Sequence, residues 1–166
     1  MTRVGLGFDA HAFDDTRPLV LGGVRIEGVP GLAGHSDADV VSHAVADALL
    51  GAAGLGDVGD RFPAIDEWRD ADSVEILRAC MAAVTEAGWA VANADVTVIA
   101  QRPRRADHRA AMVDNLARAL GVVSDRVSVK ATTTDSMGFT GRGEGIAALA
   151  VVLVAATDEG GTPPLG

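Results

Sequence analysis

Two histidines and an aspartate near the N-terminus have the types and the spacing of a metal site. Asp9 and His11 stand two residues apart at the end of a predicted strand, where residues i and i+2 point to the same side. His43 lies in a predicted helix with Asp39 and Asp47 four residues before and after it, so these three share one helix face. One carboxylate and two imidazoles leave a coordination position open, which is typical of a catalytic zinc site. The spacing therefore predicts a site at Asp9, His11 and His43, with Asp39 or Asp47 orienting His43. The alternative is a solvated acidic helix face.

The segment 130–145 combines hydroxyl groups with glycines in a way that suits phosphate binding. Thr132, Thr133 and Thr134 follow a predicted strand and precede Asp135, and their hydroxyl and backbone N–H groups can line a phosphate. Several glycines follow, and they permit backbone shapes that side chains forbid. The segment is not a P-loop, because it contains no Gly-Lys-Ser or Gly-Lys-Thr. The alternative is a threonine-rich strand end that leads into an ordinary glycine loop.

A glycine pair in the first strand imitates a dinucleotide-binding fingerprint. Gly5-Leu-Gly7-Phe-Asp-Ala10 has the form G-x-G-x-x-A, and Glu27 follows at a suitable distance. That fingerprint requires a helix immediately afterwards, with its N-terminus at the pyrophosphate. The residues that follow have no helical period and include Pro18. The sequence therefore argues against a Rossmann domain.

The elements that must position these residues alternate between strand and helix. Strands are predicted at Arg3–Phe8, in Pro18–Ile26 around Gly22-Gly23, and at Ala94–Ala100, Arg126–Ala131 and Gly145–Ala155. Helices are predicted from an N-cap at Ser36 to Gly51–Gly54, from Asp72-Ser73 to Gly88, and over Asp107–Leu120, with a loop at Gly54–Asp70. This order predicts an α/β (α+β sandwich) fold in which helices pack on one face of a mixed β-sheet. The sheet face without helices would be exposed to solvent in a monomer, so we expect the chain to self-associate.

Composition limits the partners and the compartment. The net charge of −9 argues against nucleic acid as a partner. The longest uncharged run, Gly145–Thr157, has about half the ~20 residues that span a bilayer, and no secretory signal is recognisable, so we expect a cytoplasmic protein without membrane attachment. The single cysteine, Cys80, excludes an internal disulfide and is expected to be a buried core thiol. We expect one domain over residues 1–156 and a disordered tail over 157–166.

Taken together, these segments resemble the 2-C-methyl-D-erythritol 2,4-cyclodiphosphate synthases of the non-mevalonate isoprenoid pathway. The similarity covers nearly the whole chain up to about residue 156, and its motifs are highly specific in combination. The matching stretches are Gly7–His11, Gly34–Asp39 with His43 and Asp47, Gly56–Gly59 with Phe62-Pro63, Asp95–Gln101 and Lys130–Gly145.

This resemblance implies a homotrimer with active sites between neighbouring subunits and a small-molecule cytidine-diphosphate substrate. It implies Zn²⁺ at Asp9, His11 and His43, a second ion (Mg²⁺ or Mn²⁺) at Asp135, and His35 and Thr133 as catalytic residues that stabilise charge on the transferred phosphorus. The implied substrate-binding residues are Asp9, His11, His35, Ser36, Asp57, Val58, Gly59, Phe62, Asp66, Ala100, Arg104, Arg105, Ala106, Thr132, Thr133, Thr134, Asp135, Phe139 and Arg142. Phe62 to Asp66 would form a flexible flap, and Arg142 and Glu144 would lie toward the trimer axis, near a cavity for an isoprenoid diphosphate.

Three residues depart from the family's pattern, and all concern the nucleotide side of the site. Asp135 replaces the usual Glu, Arg104 replaces a Lys, and Asp107 replaces a Pro. The implied reaction is cyclisation of 4-diphosphocytidyl-2-C-methyl-D-erythritol 2-phosphate with release of CMP. Two alternatives remain at this level: a zinc-dependent phosphoesterase, and a non-catalytic trimer that binds isoprenoid diphosphates.

Overall fold

A five-stranded mixed sheet carries three long helices on one face. The computed structural model describes residues 1–63, 70–102 and 108–157. The strands are β1 (Thr2–Asp14), β2 (Leu19–Leu21), β3 (Val24–Ile26), β4 (Gly31–Leu32), β5 (Trp89–Ile99), β6 (Val127–Thr132) and β7 (Gly145–Ala156). The helices are α1 (Val40–Ala53), α2 (Val58–Arg61), α3 (Ser73–Glu86), α4 (Arg109–Leu120) and α5 (Gly138–Gly141), with a 3₁₀ turn at Ser124–Arg126. The predicted fold class is confirmed.

The sheet has the strand order β4-β1-β7-β5-β6, and β2 and β3 form a separate hairpin. Only β5 and β6 pair in parallel, while the other neighbours in the sheet are antiparallel. Along one row across the sheet, Asp9 pairs with Ala148, Ala148 with Val98, and Val98 with Ala131. This row places the metal-site residues and the threonine segment near opposite edges of the sheet.

Helix α1 lies directly against the backbone of β1. A Cβ atom on Gly5 would come within 1.8 Å of the Ala48 carbonyl oxygen, and one on Gly7 within 2.0 Å of the Ala44 carbonyl oxygen. The glycines of the apparent dinucleotide fingerprint therefore serve helix packing. The strand continues without interruption to Asp14, which agrees with the exclusion of a Rossmann domain.

The start of α1 differs from the prediction. The N-cap is Asp39, whose side chain accepts from the N–H groups of Val41 and Ser42; Ser36 lies three residues before it. The buried Asp39 carboxylate also accepts from the N–H groups of Gly22 and Gly23 at 2.8 Å each, so it joins the helix to the β2–β3 hairpin. This long-range anchoring selects Asp39 over Ser36, and the sequence near Ser36 does not show it.

Other boundaries shift where tertiary pairing extends an element. Strand β1 continues past Phe8 because its second half pairs with β7 up to Ala12 and Gly145, so Asp9 and His11 lie inside the strand rather than at its end. Strand β5 begins at Trp89 rather than Ala94 for the same reason. The predicted loop after α1 contains the short helix α2.

The sheet face opposite the helices is apolar and exposed. Val4, Leu6 and Phe8 of β1 are 66%, 66% and 52% exposed, and Leu149 and Val151 of the neighbouring β7 are also exposed. Register pairs Leu6 with Val151 and Phe8 with Leu149, so these side chains form one continuous patch. Patches of this kind mark interaction surfaces. Within the described residues, no helix combines the length and the apolarity that crossing a membrane requires.

Candidate metal centre and substrate cavity

Asp9, His11 and His43 converge at the contact between β1 and α1. The Oδ2 atom of Asp9 lies 3.2 Å from Nε2 of His11 and 3.1 Å from Nδ1 of His43. The three potential ligand atoms all lie within 4.8 Å of one another. Two ligands of one tetrahedral zinc, at about 2.0–2.2 Å from the ion, stand about 3.3–3.6 Å apart. The donor set and its spacing therefore fit a divalent cation with little rearrangement.

The electrostatics of the centre keep the carboxylate ionised. Burial would raise the pKa of Asp9, but hydrogen bonds and charge interactions with His11 and His43 outweigh it and hold that pKa far below its ordinary value. Burial would lower the pKa of His43, but the hydrogen bond and charge of Asp9, with smaller contributions from the charges of Asp39 and Asp37, raise it above the ordinary value. The pair thus attracts positive charge, whether from a proton or a metal ion.

The second nitrogen of His43 contacts two serines that the sequence did not single out together. Its Nε2 atom lies 2.9 Å from the Ser73 hydroxyl and 3.3 Å from the Ser36 hydroxyl. The Ser73 hydroxyl donates to the Asp37 carboxylate. Ser73 is fully buried at the start of α3. Only its position at a predicted helix start was visible in the sequence.

The acids predicted to orient His43 have other partners. The Asp39 carboxylate caps α1 and holds Gly22 and Gly23, and Asp47 accepts the backbone N–H of Val58 at 2.9 Å. Helical spacing correctly places both acids on the face of His43, but backbone donors from neighbouring elements engage them. Within the described residues, the prediction that either acid orients His43 is therefore wrong: the side chains hydrogen-bonded to the second ring nitrogen are those of Ser73 and Ser36.

The segment that carries His35 and Ser36 is anchored from two sides. The guanidinium of Arg17 donates to the carbonyl oxygens of Gly34 and Ser36, and it lies 3.3 Å from an Asp70 carboxylate oxygen. From the other side, the Asp70 N–H donates to the His35 carbonyl at 2.8 Å. These contacts fix the backbone of the segment beside the metal centre.

A cavity of about 340 Å³ opens at this centre. Its lining joins the metal-site residues with His35 and Ser36 and with the α2 region. It includes every predicted substrate-binding residue from Asp9 to Phe62. The lining residues are Phe8, Asp9, His11, His35, Ser36, His43, Asp47, Asp57, Val58, Gly59, Phe62 and Ile76. Phe8, Asp47 and Ile76 were not predicted to bind substrate, since their apolar or helical context gave no sign of it.

The predicted substrate-binding residues from Thr132 to Asp135 lie elsewhere in the same chain, toward the other edge of the sheet. Thr132, Thr133, Thr134 and Asp135 lie at and beyond the end of β6, and the Thr133 hydroxyl donates to an Asp135 carboxylate oxygen at 3.2 Å. Since β7 and β5 lie between β1 and β6, three strand spacings, about 14 Å, separate β1, which carries Asp9 and His11, from β6. One chain does not bring them together.

The remaining predicted residues fall into two groups. Ala100 directly follows β5, Phe139 lies in α5 and is 40% exposed, and Arg142 pairs with Glu144 at 2.6 Å beside a second cavity of about 550 Å³. Asp66, Arg104, Arg105 and Ala106 lie outside the described residues.

Comparisons with known proteins point to one family. The family model described as the YgbB family matches residues 2–155. The 2-C-methyl-D-erythritol 2,4-cyclodiphosphate synthase of Rubrobacter xylanophilus is 60% identical over 156 residues, 92% of this chain and 94% of that protein. The synthase of Moorella thermoacetica is 57% identical over 153 residues, with coverage of 92% and 94%.

Solved structures agree with the sequence relatives. The bifunctional IspDF of Campylobacter jejuni aligns with a TM-score of 0.91 and 44% identity, covering 95% of this chain and 43% of that one. The IspF of Plasmodium falciparum, solved as a CDP complex, aligns with a TM-score of 0.83 and 30% identity, covering 95% and 97%.

Proposed function

Because this chain belongs to the YgbB family, we propose that it catalyses the reaction for which its relatives are named, formation of 2-C-methyl-D-erythritol 2,4-cyclodiphosphate in the non-mevalonate isoprenoid pathway. The substrate is 4-diphosphocytidyl-2-C-methyl-D-erythritol 2-phosphate. An oxygen of its 2-phosphate attacks the β-phosphorus, the bond from that phosphorus to the bridging oxygen breaks, and CMP leaves. The reaction class is that of a phosphorus–oxygen lyase.

The observation that carries this proposal is the convergence of Asp9, His11 and His43 at one wall of the cavity. These residues would hold Zn²⁺. A divalent cation bound there supplies positive charge that polarises a phosphate oxygen and offsets repulsion between phosphates. The attacking phosphate is already an anion, so the reaction needs positioning and charge stabilisation more than a strong base.

The other cavity residues have complementary roles in this proposal. His35 and Ser36 lie on the segment that Arg17 anchors, where they can contact the substrate phosphates, and His35 stabilises the charge on the transferred phosphorus. Asp57, Val58 and Gly59 form the wall that receives the methylerythritol or ribose part. These are contacts from one chain.

A neighbouring subunit would supply the nucleotide side of the site. Thr132, Thr133 and Asp135 lie at and beyond the end of β6, three strands away from β1, so we infer that a second copy places them over the cavity. Thr133 would stabilise the transferred phosphorus, and Asp135 would bind Mg²⁺ or Mn²⁺ through its carboxylate, the oxygen ligand that such ions prefer. Thr134, with residues 100 and 104–106, would complete the nucleotide pocket. Phe139 and Arg142 would be further substrate contacts, with Arg142 toward the trimer axis.

The exposed apolar face of β1 and β7 supports a homotrimer. It carries Leu6, Phe8 and Val151, and burial of such a surface is the main driving force of association. Sedimentation equilibrium should give three times the 16.9 kDa chain mass. Leu6→Asp should dissociate the trimer and abolish activity, whereas Val123→Asp, at an equally exposed apolar residue outside this face, should not. A fully active monomer would overturn the shared site.

One assay tests the reaction itself. The protein is incubated with the cytidyl substrate and Zn²⁺ and Mg²⁺, and ³¹P NMR follows the products. We expect CMP and the cyclic diphosphate in equal amounts. Inorganic phosphate without a cyclic product would indicate a phosphoesterase, and unchanged substrate would leave only a binding function. We expect the enzyme to act in the cytoplasm.

A further inference from the structure

We propose that Ser73 and Asp37 form a positioning relay that orients the His43 imidazole, with its Nδ1 atom toward the bound cation. The inference rests on the cation site proposed above. It adds two residues that belong to neither the ligand set nor the substrate contacts.

The first step concerns Asp37. One of its carboxylate oxygens accepts the Ser73 hydroxyl hydrogen and the Asp39 backbone N–H at 3.2 Å. Its other oxygen accepts the Ser73 backbone N–H at 3.2 Å. An ionised carboxylate only accepts hydrogen bonds, so the single hydroxyl hydrogen of Ser73 points to Asp37.

The second step follows for Ser73. With its hydrogen directed to Asp37, the Ser73 hydroxyl can only accept from its remaining neighbours. Its oxygen lies 2.9 Å from Nε2 of His43, so that nitrogen must carry the hydrogen of this contact. In a neutral imidazole with hydrogen on Nε2, the lone pair lies on Nδ1. That is the nitrogen 3.1 Å from the Asp9 carboxylate, on the cation side of the ring; the proton that it donates to Asp9 in the metal-free protein leaves when the cation binds.

The third step concerns burial. Ser73 is completely buried and Ser36 is 7% exposed, so solvent does not easily replace either contact. The Ser36 hydroxyl lies 3.3 Å from both Nε2 of His43 and the Ser73 hydroxyl, which places a cavity-lining serine beside the relay. Without the Ser73 hydroxyl, the Nε2–H group of His43 therefore keeps only the longer contact to Ser36. The hydrogen of the neutral ring can then lie on Nδ1, the nitrogen that should face the cation.

The test compares Ser73→Ala with Ser42→Ala in the full-length protein. Ser42 is equally buried and lies on α1 next to His43, and its hydroxyl donates to Asp39 at 2.7 Å. Zn²⁺ alone is titrated into each metal-free protein by calorimetry. Outer partners of metal-bound histidines are typically worth about 10–100-fold in metal affinity, so Ser73→Ala should weaken Zn²⁺ binding by that factor relative to Ser42→Ala.

A spectroscopic readout separates positioning from general damage. In the Zn²⁺-loaded wild type labelled with ¹⁵N-histidine, NMR should show His43 with hydrogen on Nε2 and with slow exchange of that hydrogen. Ser73→Ala should lose the slow exchange, whereas Ser42→Ala should keep it. If Ser73→Ala does not fold, as judged by circular dichroism, Asp37→Asn decides instead, because it keeps the size of the side chain and removes its charge.

The outcomes are distinct. Zn²⁺ affinity within about twofold of Ser42→Ala, or unchanged exchange at Nε2, overturns the relay while the cation site stands. A wild type that binds no Zn²⁺ overturns the cation site, and the relay with it. Weaker binding confined to the Ser73 and Asp37 variants supports the proposal.

Discussion

The carboxylate of Asp9 and the imidazole of His43 lie 3.1 Å apart although 34 positions separate them in the chain. Two glycines make this contact possible, because Gly5 and Gly7 let α1 approach the backbone of β1 without intervening side chains. The metal centre therefore depends on helix–strand packing as much as on the ligands themselves.

Substitution of His43 should separate metal binding from folding. We expect His43→Ala to lose Zn²⁺ and at least about 100-fold in turnover, because a site of two ligands no longer holds the ion. The fold should survive, as measured by circular dichroism and elemental analysis. His108→Ala, which removes a histidine at the start of α4, is the matched control. Equal activity in metal-free His43→Ala would refute the ligand assignment.

Metal affinity should depend on pH with a definite sign. The pKa of His43 is raised in the metal-free protein, so below that pKa a proton must leave before the ring can bind Zn²⁺. Affinity should therefore fall by about tenfold per pH unit on acidification below the raised pKa, and level off above it. The low pKa of Asp9 keeps its carboxylate ionised over this range, so it adds no slope there. Calorimetric titrations between pH 6 and 8.5 measure the slope, and a flat profile would contradict the prediction.

The tight approach of α1 to β1 predicts an unusual sensitivity at Gly7. A Cβ atom there would meet the Ala44 carbonyl oxygen at 2.0 Å, so Gly7→Ala should lower the free energy of unfolding by about 3 kcal/mol or more. Gly51→Ala is the control, because nothing lies within 4 Å of its added Cβ and the residue is inside a helix. That variant should gain about 0.5–1 kcal/mol. Urea unfolding measures both.

The second ion site can be tested at Asp135. Asp135→Ala should weaken nucleotide binding in a magnesium-dependent way, because the carboxylate that would hold the ion is lost. The measurement is a CDP titration at several Mg²⁺ concentrations. Asp125→Ala, at another exposed aspartate, should behave as the wild type. If the magnesium dependence is the same in both variants, Asp135 does not bind the ion.

The single cysteine should be inert in the folded protein. Cys80 is fully buried, and burial raises the pKa of its thiol to about 11, so little reactive thiolate forms near neutral pH. A disulfide reagent at pH 8 should modify less than about a tenth of the thiol in the native protein within the time that labels it fully in urea. Rapid native labelling would show that α3 opens readily.

Local patterns were sufficient for most of the fold. The uncharged run that begins at Gly145 predicted β7, and the signal at Asp72-Ser73 predicted the start of α3, because both depend on neighbours a few residues away. The glycine-centred hairpin at Gly22-Gly23 followed from the same kind of local rule. The fold class, and the resemblance that pointed to the family, could thus be derived from the sequence.

Long-range contacts decided the remainder. The sequence placed Asp9 and His11 on one side of a strand and put His43 on a helix, but only the packing of α1 on β1 sets the three within one ion's reach. The N-cap of α1 is Asp39 rather than Ser36 because the β2–β3 hairpin donates two backbone N–H groups to the Asp39 carboxylate. The Ser73 hydroxyl contacts His43 only because α3 packs beside α1. Residue type and spacing determine what a side chain can do; which partners it meets depends on elements far away in the chain.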